Sequence, residues 1–347
     1  MVKGKQSCRR PLAGQARHNS PHYSPKQFLH QRKGINKVKR EPSDWLRVTG
    51  SRQTSGQQHP QDQLIYNLNM KPRQLFKRAI ALPQDHGSWV FLFSPLLIGL
   101  FAGQNFSAGT MALTIAAITA FLIRQPITIV TKTFSGRRPR SDLPAAFFWV
   151  IFYGLILTIS LAVLLAYKYL FILYLAIPGI AVFAWHLVLV SNRRERGQAG
   201  VEILATGVLA LSAPAAYWVS LGNYAPDGWW LWILTWMQSA ASIVYAYLRL
   251  AQRTLQELPS TAEKLNQGKR AFLYTTFNLC FTGILSVWNI LPSLIFLPYL
   301  LQWLETLWGI MKPAVGQKPT RIGIRQLIVS SLFTLLFIFT WRQSWMN

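Results

Sequence analysis

From Met70 onward the chain alternates long apolar stretches with short polar connections, and the stretches are apolar on every side. Amphipathic periodicity therefore says little, and length decides. A helix rises about 1.5 Å per residue and needs about 20 apolar residues to cross the hydrocarbon of a bilayer. Nine stretches approach that length, at about 87–103, 108–124, 143–167, 169–190, 200–221, 228–248, 271–290, 291–311 and 323–341. The expected fold is all-α: an integral membrane helical bundle of about nine transmembrane helices within residues 70–347. Pro95, Pro178, Pro214 and Pro298 fall inside spans and are expected to kink them, because proline removes a backbone donor that packed neighbours must replace.

The charges orient this bundle. Nearly every Lys and Arg of residues 70–347 lies in every second connection, 21 on one side against 2 on the other. Basic loops stay on the cytoplasmic side during insertion, so the expectation is a cytoplasmic N-terminus and a C-terminus outside. Tryptophans fall near both boundaries: Trp218, Trp229, Trp230, Trp341 and Trp345 outside, Trp89, Trp149, Trp185 and Trp308 inside. Interfacial aromatic belts favour such positions.

Composition agrees. Hydrophobic residues make up 51% and charged residues 14% of the 347-residue chain, against about 25% charged for a soluble domain. A net charge of +25 would ordinarily suggest nucleic acid. Here the basic loops facing anionic headgroups account for much of it, so the expected partner is the lipid bilayer and no nucleic acid. Residues 1–69 are a separate basic segment with 13 Lys+Arg against 3 acids. They are too poor in large apolar residues to order themselves and lack the apolar run of a secretory signal. Met70 precedes Lys71-Pro72-Arg73, a natural start for a membrane protein, so the segment is expected not to be translated; a disordered tail and a basic targeting peptide are the other readings. Two cysteines, Cys8 and Cys280, exclude a disulfide framework, and Cys280 reads as a small core residue.

Polar groups at membrane depth are costly and point to function. Those present collect toward the cytoplasmic ends of the spans: Asp85 and His86 before the first, Arg124 ending the second, His186 near the end of the fourth, Glu202 just inside the fifth, Tyr245 and Arg249 closing the sixth, Glu305 inside the eighth, and Arg321 and Arg325 on one face of the ninth. Together they would form a cationic pocket with embedded acids, suited to an anionic, amphipathic or lipid-like ligand. Simpler roles stand beside this one. Asp85 and Asp142 suit helix N-caps, and Arg124 and Arg249 suit snorkelling to headgroups. No two acids or histidines share a ligand-type helical spacing, so neither a metal site nor a cofactor is expected.

Two stretches carry a resemblance. Leu82-Pro83-Gln84-Asp85-His86-Gly87-Ser88-Trp89, leading into a Pro-containing span, resembles the opening of the YwiC-like family of bacterial polytopic membrane proteins. Ala199-Gly200-Val201-Glu202, running through Pro214 to Ala216, is similar to that family's mid-chain block. The resemblance covers about residues 75–341 and implies a multi-pass protein of the bacterial plasma (inner) membrane, without naming a reaction. The layout alone also resembles intramembrane prenyltransferases of the UbiA type, which hold Mg²⁺ with aspartate-rich loops. The corresponding loops here offer only Asp142, Glu257 and Glu263, so that activity is not expected. Three function classes follow: a binder of an anionic amphiphile at the cytoplasmic face, an ion- or proton-coupled transporter, and a prenyltransferase-like enzyme lacking its metal ligands.

Overall fold

The computed structural model describes residues 76–83, 87–192 and 199–343. The expectations for residues 1–69, for Asp85 and for His86 lie outside the described residues. Among the described residues eleven α-helices follow in order: α1 Arg78–Ala81, α2 Ser88–Gly103, α3 Ala108–Phe134, α4 Leu143–Ala166, α5 Phe171–Ser191, α6 Ala199–Ala210, α7 Ser212–Leu221, α8 Gly228–Gln252, α9 Thr261–Val287, α10 Phe296–Met311 and α11 Pro319–Gln343. No strand occurs among the described residues. Among the described residues six segments are long and apolar enough to cross a membrane: α3, α4 with the 3₁₀ turn before it, α5, α6 with α7, α8 and α11. Six such segments in one chain make this an integral membrane protein. Of the other expected spans, α2 and α10 have only 16 residues each, and α9 opens on polar residues.

Several boundaries differ from expectation, each for a local reason. The second stretch does not end at Arg124; α3 runs on through Pro126 to Phe134. Thr128, Thr131 and Thr133 donate their hydroxyls back to the carbonyls of Arg124, Ile127 and Ile129, so the extension carries polar groups without exposing them. The fifth stretch divides at Leu211 into α6 and α7. Pro214 follows Ala210 by four residues and cannot donate to its carbonyl, which places the break there. Helix α9 starts at Thr261, ten residues earlier than expected, behind a capping box in which Ser260 Oγ accepts from Glu263 N and Glu263 Oε2 accepts from Ser260 N. Asp142 occupies the N-cap position of α4 but does not cap with its side chain; it accepts instead from Arg138 at 3.2 Å and Lys77 at 3.4 Å.

Helix α8 is the hub, packed against α2, α6, α7, α9, α10 and α11. The core runs from Leu96 and Ile98 on α2 through Ala213 and Ala216 on α7 and Leu231 and Leu234 on α8 to Phe333 and Phe337 on α11. Its closest approach joins α2 to α7. A Cβ on Gly99 would overlap the Ala213 carbonyl and the Ala216 Cβ, and a Cβ on Gly103 would strike Ser220. Small residues four apart let two backbones meet at this distance. Ser220 Oγ then donates to Asn105 O at 2.7 Å and accepts from Asn105 N at 2.9 Å, fixing the turn after α2.

Interhelical hydrogen bonds supplement the packing. Ser94 and Thr334 hydroxyls lie 2.6 Å apart between α2 and α11, Asn278 donates to Met237 O, and Gln302 donates to Gln238 O and Ser242 Oγ. The expected outer belt is partly core: Trp218 is buried and donates to Ala225 O at 2.6 Å, and Trp341 is buried beside Phe337. Trp229 and Trp185 are exposed, as belt residues are. Cys280 is exposed, not a core residue. It lies on the face of α9 away from the inward row of Thr275, Asn278 and Thr282.

Candidate functional site

Three helices bring two chemistry-bearing residues each to one cavity of about 550 Å³. Tyr245 and Arg249, four apart, share a face of α8; Glu305 and Trp308, three apart, share one of α10; Arg321 and Arg325, four apart, share one of α11. Ile322, Ile324, Ile328 and Val329, also on α11, add apolar lining. Ile324 and Ile328 are exposed on the outer surface of the bundle, so the cavity opens sideways along an apolar flank.

The polar end is organised by an ion pair. Arg325 donates through Nε to Glu305 Oε1 at 2.6 Å and through Nη2 to Glu305 Oε2 at 2.7 Å. This fork-on-fork geometry is the strong form of an arginine–carboxylate pair. Glu305 Oε1 also accepts from the Tyr245 hydroxyl at 2.9 Å. The carboxylate side chain is only 10% exposed, while Arg325 is 40% exposed. Arg325 lies flat on Trp308, with its guanidinium carbon 3.3 Å from the ring centroid. Arg249 approaches the same ring at 5.4 Å and the Lys312 ammonium at 6.0 Å, so Trp308 gathers three cations around its π system.

Arg249 does not snorkel; it is 2% exposed. Its Nη1 lies 2.8 Å from Gly309 O, 2.7 Å from Lys312 O and 3.0 Å from Gln252 Oε1. The sequence explains why a donor is wanted there. Gly309 O would normally accept from residue 313, which is Pro313 and has no N–H. Arg249 from α8 therefore closes the last turn of α10, where a cation also complements the helix dipole. Gly309 carries no side chain because the Tyr245 ring occupies the place where its Cβ would stand.

Of the ten residues singled out in the sequence, the structure gathers Tyr245, Arg249, Glu305, Arg321 and Arg325 around this cavity. Glu202 is elsewhere. Its Oε1 accepts from the Tyr247 hydroxyl at 2.8 Å, and Tyr247 is two residues from Tyr245 and so on another face of α8. Arg124 is half-buried on α3 with its guanidinium 5.0 Å from the Phe121 ring, and His186 is half-buried on α5. Neither lines the cavity. Among the described residues, no group of three or more His, Cys, Asp or Glu could hold a metal ion.

Sequence reasoning missed Trp308 as a member of this group and placed it in an interfacial belt. Its spacing of three from Glu305 was the available signal. It also missed Gly99 and Gly103, whose Gly-x-x-x-Gly spacing announces a close helix crossing.

No curated protein and no solved structure matches the chain. A family model does match, over residues 82–217. That stretch is narrower than the resemblance drawn from the sequence, and contains both of the motifs that carried it. It spans α2 to α7, including the Gly99 contact with Ala213 and Ala216, and ends before the cavity helices α8, α10 and α11. Over residues 82–217, from the segment before α2 into α7, this membrane protein matches the YwiC-like protein family.

Proposed function

We propose that the chain crosses a bacterial inner membrane nine times, N-terminus inside and C-terminus outside, and binds an anionic amphiphile in the α8–α10–α11 cavity. The observation that carries the binding reading is the mixed lining. Three arginines and one carboxylate line it together with isoleucine and valine. Arginine suits phosphate and carboxylate heads, and the apolar flank suits a hydrocarbon tail. The cavity volume lies within the range of small-molecule sites.

Arg321 is the discriminating residue, because it is exposed and makes no ion pair among the described residues. Titration of the purified full chain in mild detergent with decyl phosphate is expected to show saturable binding by calorimetry. Arg321→Ala is expected to weaken it at least about tenfold, roughly 1.4 kcal/mol, with the thermal unfolding midpoint unchanged. Equal affinity in both proteins would remove the reading. Native mass spectrometry of the same protein identifies which lipid or anion co-purifies.

The topology has its own test. The nine-crossing arrangement rests on the alternation of basic loops, and a reporter fused after Trp345 is expected to be active only outside the cytoplasm. Cytoplasmic activity would require an even number of crossings, with one of the short helices α2 or α10 or the polar-headed α9 as the segment that fails to cross.

Transport is the second reading, and one feature favours it. Gln326 lines the cavity and donates to Ser242 O on α8, beside the buried amides of Gln238 and Gln302. Gln302 Oε1 is buried without a partner. Polar groups leading inward from a cavity suit passage of a polar solute, and uptake into proteoliposomes separates transport from binding alone.

A further inference from the structure

We propose that a second cavity, between α9 and α10, is a lipid site of its own, which takes an anionic glycerophospholipid in preference to a zwitterionic one. The inference is independent of the ligand of the α8–α10–α11 cavity. It needs only that α9 passes from water into the membrane after Arg270.

The sequence of α9 marks that passage. Residues 261–270 include Glu263, Lys264, Lys269 and Arg270, whereas residues 271–287 carry no charge. Along one continuous helix, such a change is where the headgroup layer gives way to hydrocarbon. Helix α10 ends at the same level. The Ile310 side chain fills the place where a Cβ on Gly268 would stand, so the two helices meet there, and Lys312 follows directly after α10.

A cleft of about 420 Å³ opens beside that contact. Leu265, Asn266, Lys269 and Phe272 line it from α9, at spacings that place them on one helix face. Leu307, Ile310 and Met311 line it from α10. Glu305 and Trp308 face the larger cavity instead, so α10 separates the two sites and they share no lining residue. Leu265 and Met311 are exposed, which leaves the cleft open to the surroundings of the bundle.

The lining has the order of a phospholipid. Its two polar residues, Asn266 and Lys269, belong to the charged head of α9, and the other five are apolar. Both polar residues are exposed, and Lys269 pairs with no carboxylate among the described residues. An ammonium and an amide N–H at the rim suit a phosphodiester, and the apolar side chains suit the glycerol esters and upper acyl chains. Lipid that merely coats a helix meets a convex surface, whereas two helices and two donors here make a concave one.

Charge sets the head preference. Phosphatidylcholine and phosphatidylglycerol carry the same phosphodiester, so hydrogen bonds to it contribute equally to both and cancel in their ratio. The difference is the quaternary ammonium of the choline head, which brings a positive charge beside Lys269 where no acid lines the cleft. A net negative head meets Lys269 without that repulsion, a difference of about fivefold for one lysine near a membrane surface.

Native mass spectrometry of the purified full chain in mild detergent, titrated with phosphatidylglycerol and with phosphatidylcholine of identical acyl chains, tests the proposal. Wild type is expected to bind the first phosphatidylglycerol about fivefold more tightly. Lys269→Gln keeps a donor and most of the stem while removing the charge, and is expected to abolish most of that preference. Arg270→Gln removes a charge at the same depth from a residue outside the cleft, and is expected to leave the preference intact. Leu307→Trp fills the cleft and is expected to weaken both lipids. Both basic residues are exposed, so their variants are expected to fold and decide the matter even if Leu307→Trp does not. No preference in wild type would overturn the proposal. So would equal losses in Lys269→Gln and Arg270→Gln, which would mark a diffuse basic surface, or unchanged binding in folded Leu307→Trp. A preference that survives Lys269→Gln and disappears in Arg321→Ala would assign the lipid to the larger cavity and is equally fatal.

Discussion

Gly99→Val is expected to lower the stability of the protein by about 3 kcal/mol or more, read as a fall in the unfolding midpoint in detergent. The neighbour that a side chain would meet is backbone: the Ala213 carbonyl of α7, with the Ala216 Cβ beside it. Backbone cannot rotate away as a long side chain can, so α2 and α7 would have to separate. Separation exposes the contact on which Leu96, Ile98 and Ala216 close the core. It also pulls at the Ser220–Asn105 pair one turn further on. Even Gly99→Ala is expected to destabilise, although alanine is favoured over glycine within a helix by about 1 kcal/mol. Gly283→Ala supplies the control, because nothing lies within 4 Å of a Cβ there. That variant is expected to be neutral or slightly stabilising. Equal midpoints for Gly99→Val and Gly283→Ala would refute the close-contact account.

Arg249→Met should cost about 3 kcal/mol, while preserving most of the side-chain volume. Methionine removes the donor that satisfies Gly309 O and Lys312 O at the end of α10. Hydrogen bonds to charged groups contribute about 1.5–3 kcal/mol each, and the Gly309 carbonyl has no replacement from its own helix because residue 313 is proline. Gln252 Nε2 is the other donor near that carbonyl, at 3.4 Å, and offsets part of the loss. Arg249→Lys is expected to recover only a fraction: an ammonium is more strongly hydrated than a guanidinium and so costs more to bury, and its stem ends one bond short of Arg249 Nη1, the nitrogen that meets both carbonyls. Proteolysis of the connection after Met311 should rise in parallel. An unchanged midpoint for Arg249→Met would show that the carbonyls find other partners.

The apolar stretches were legible because their signal is length, which a sequence displays directly. The residues Tyr245, Arg249, Glu305, Arg321 and Arg325 were legible for a related reason: charged and phenolic groups near the ends of apolar runs stand out against them. Depth along a helix can be read in one dimension, whereas the direction a residue faces cannot when the helix is apolar all round. Glu202 and Glu305 both read as carboxylates of one pocket, yet contact Tyr247 and Tyr245 respectively, on different faces of the same helix. Cys280 was misplaced by the same ambiguity, since one step around α9 separates the inward row from the outer surface. That Arg249 closes α10 from within, and does not snorkel, was not legible, because its partners are backbone carbonyls, which leave no mark in a sequence. Only Pro313, by lacking an N–H, hinted that Gly309 needed an outside donor.

Helices α2 and α10 contain 16 residues each. At helical rise each is about 24 Å long, some 6 Å less than the hydrocarbon thickness of an ordinary bilayer. Helix α2 is largely enclosed by its neighbours, but Leu304 and Met311 on α10 face outward. Where such a short helix crosses at the perimeter, the surrounding leaflet must dimple to meet it. Headgroups and water would then descend toward the α10–α11 flank, shortening the path from the leaflet to the cavity mouth. Bilayers of shorter acyl chains should therefore accommodate the protein with less distortion, and thicker ones should crowd it laterally into clusters.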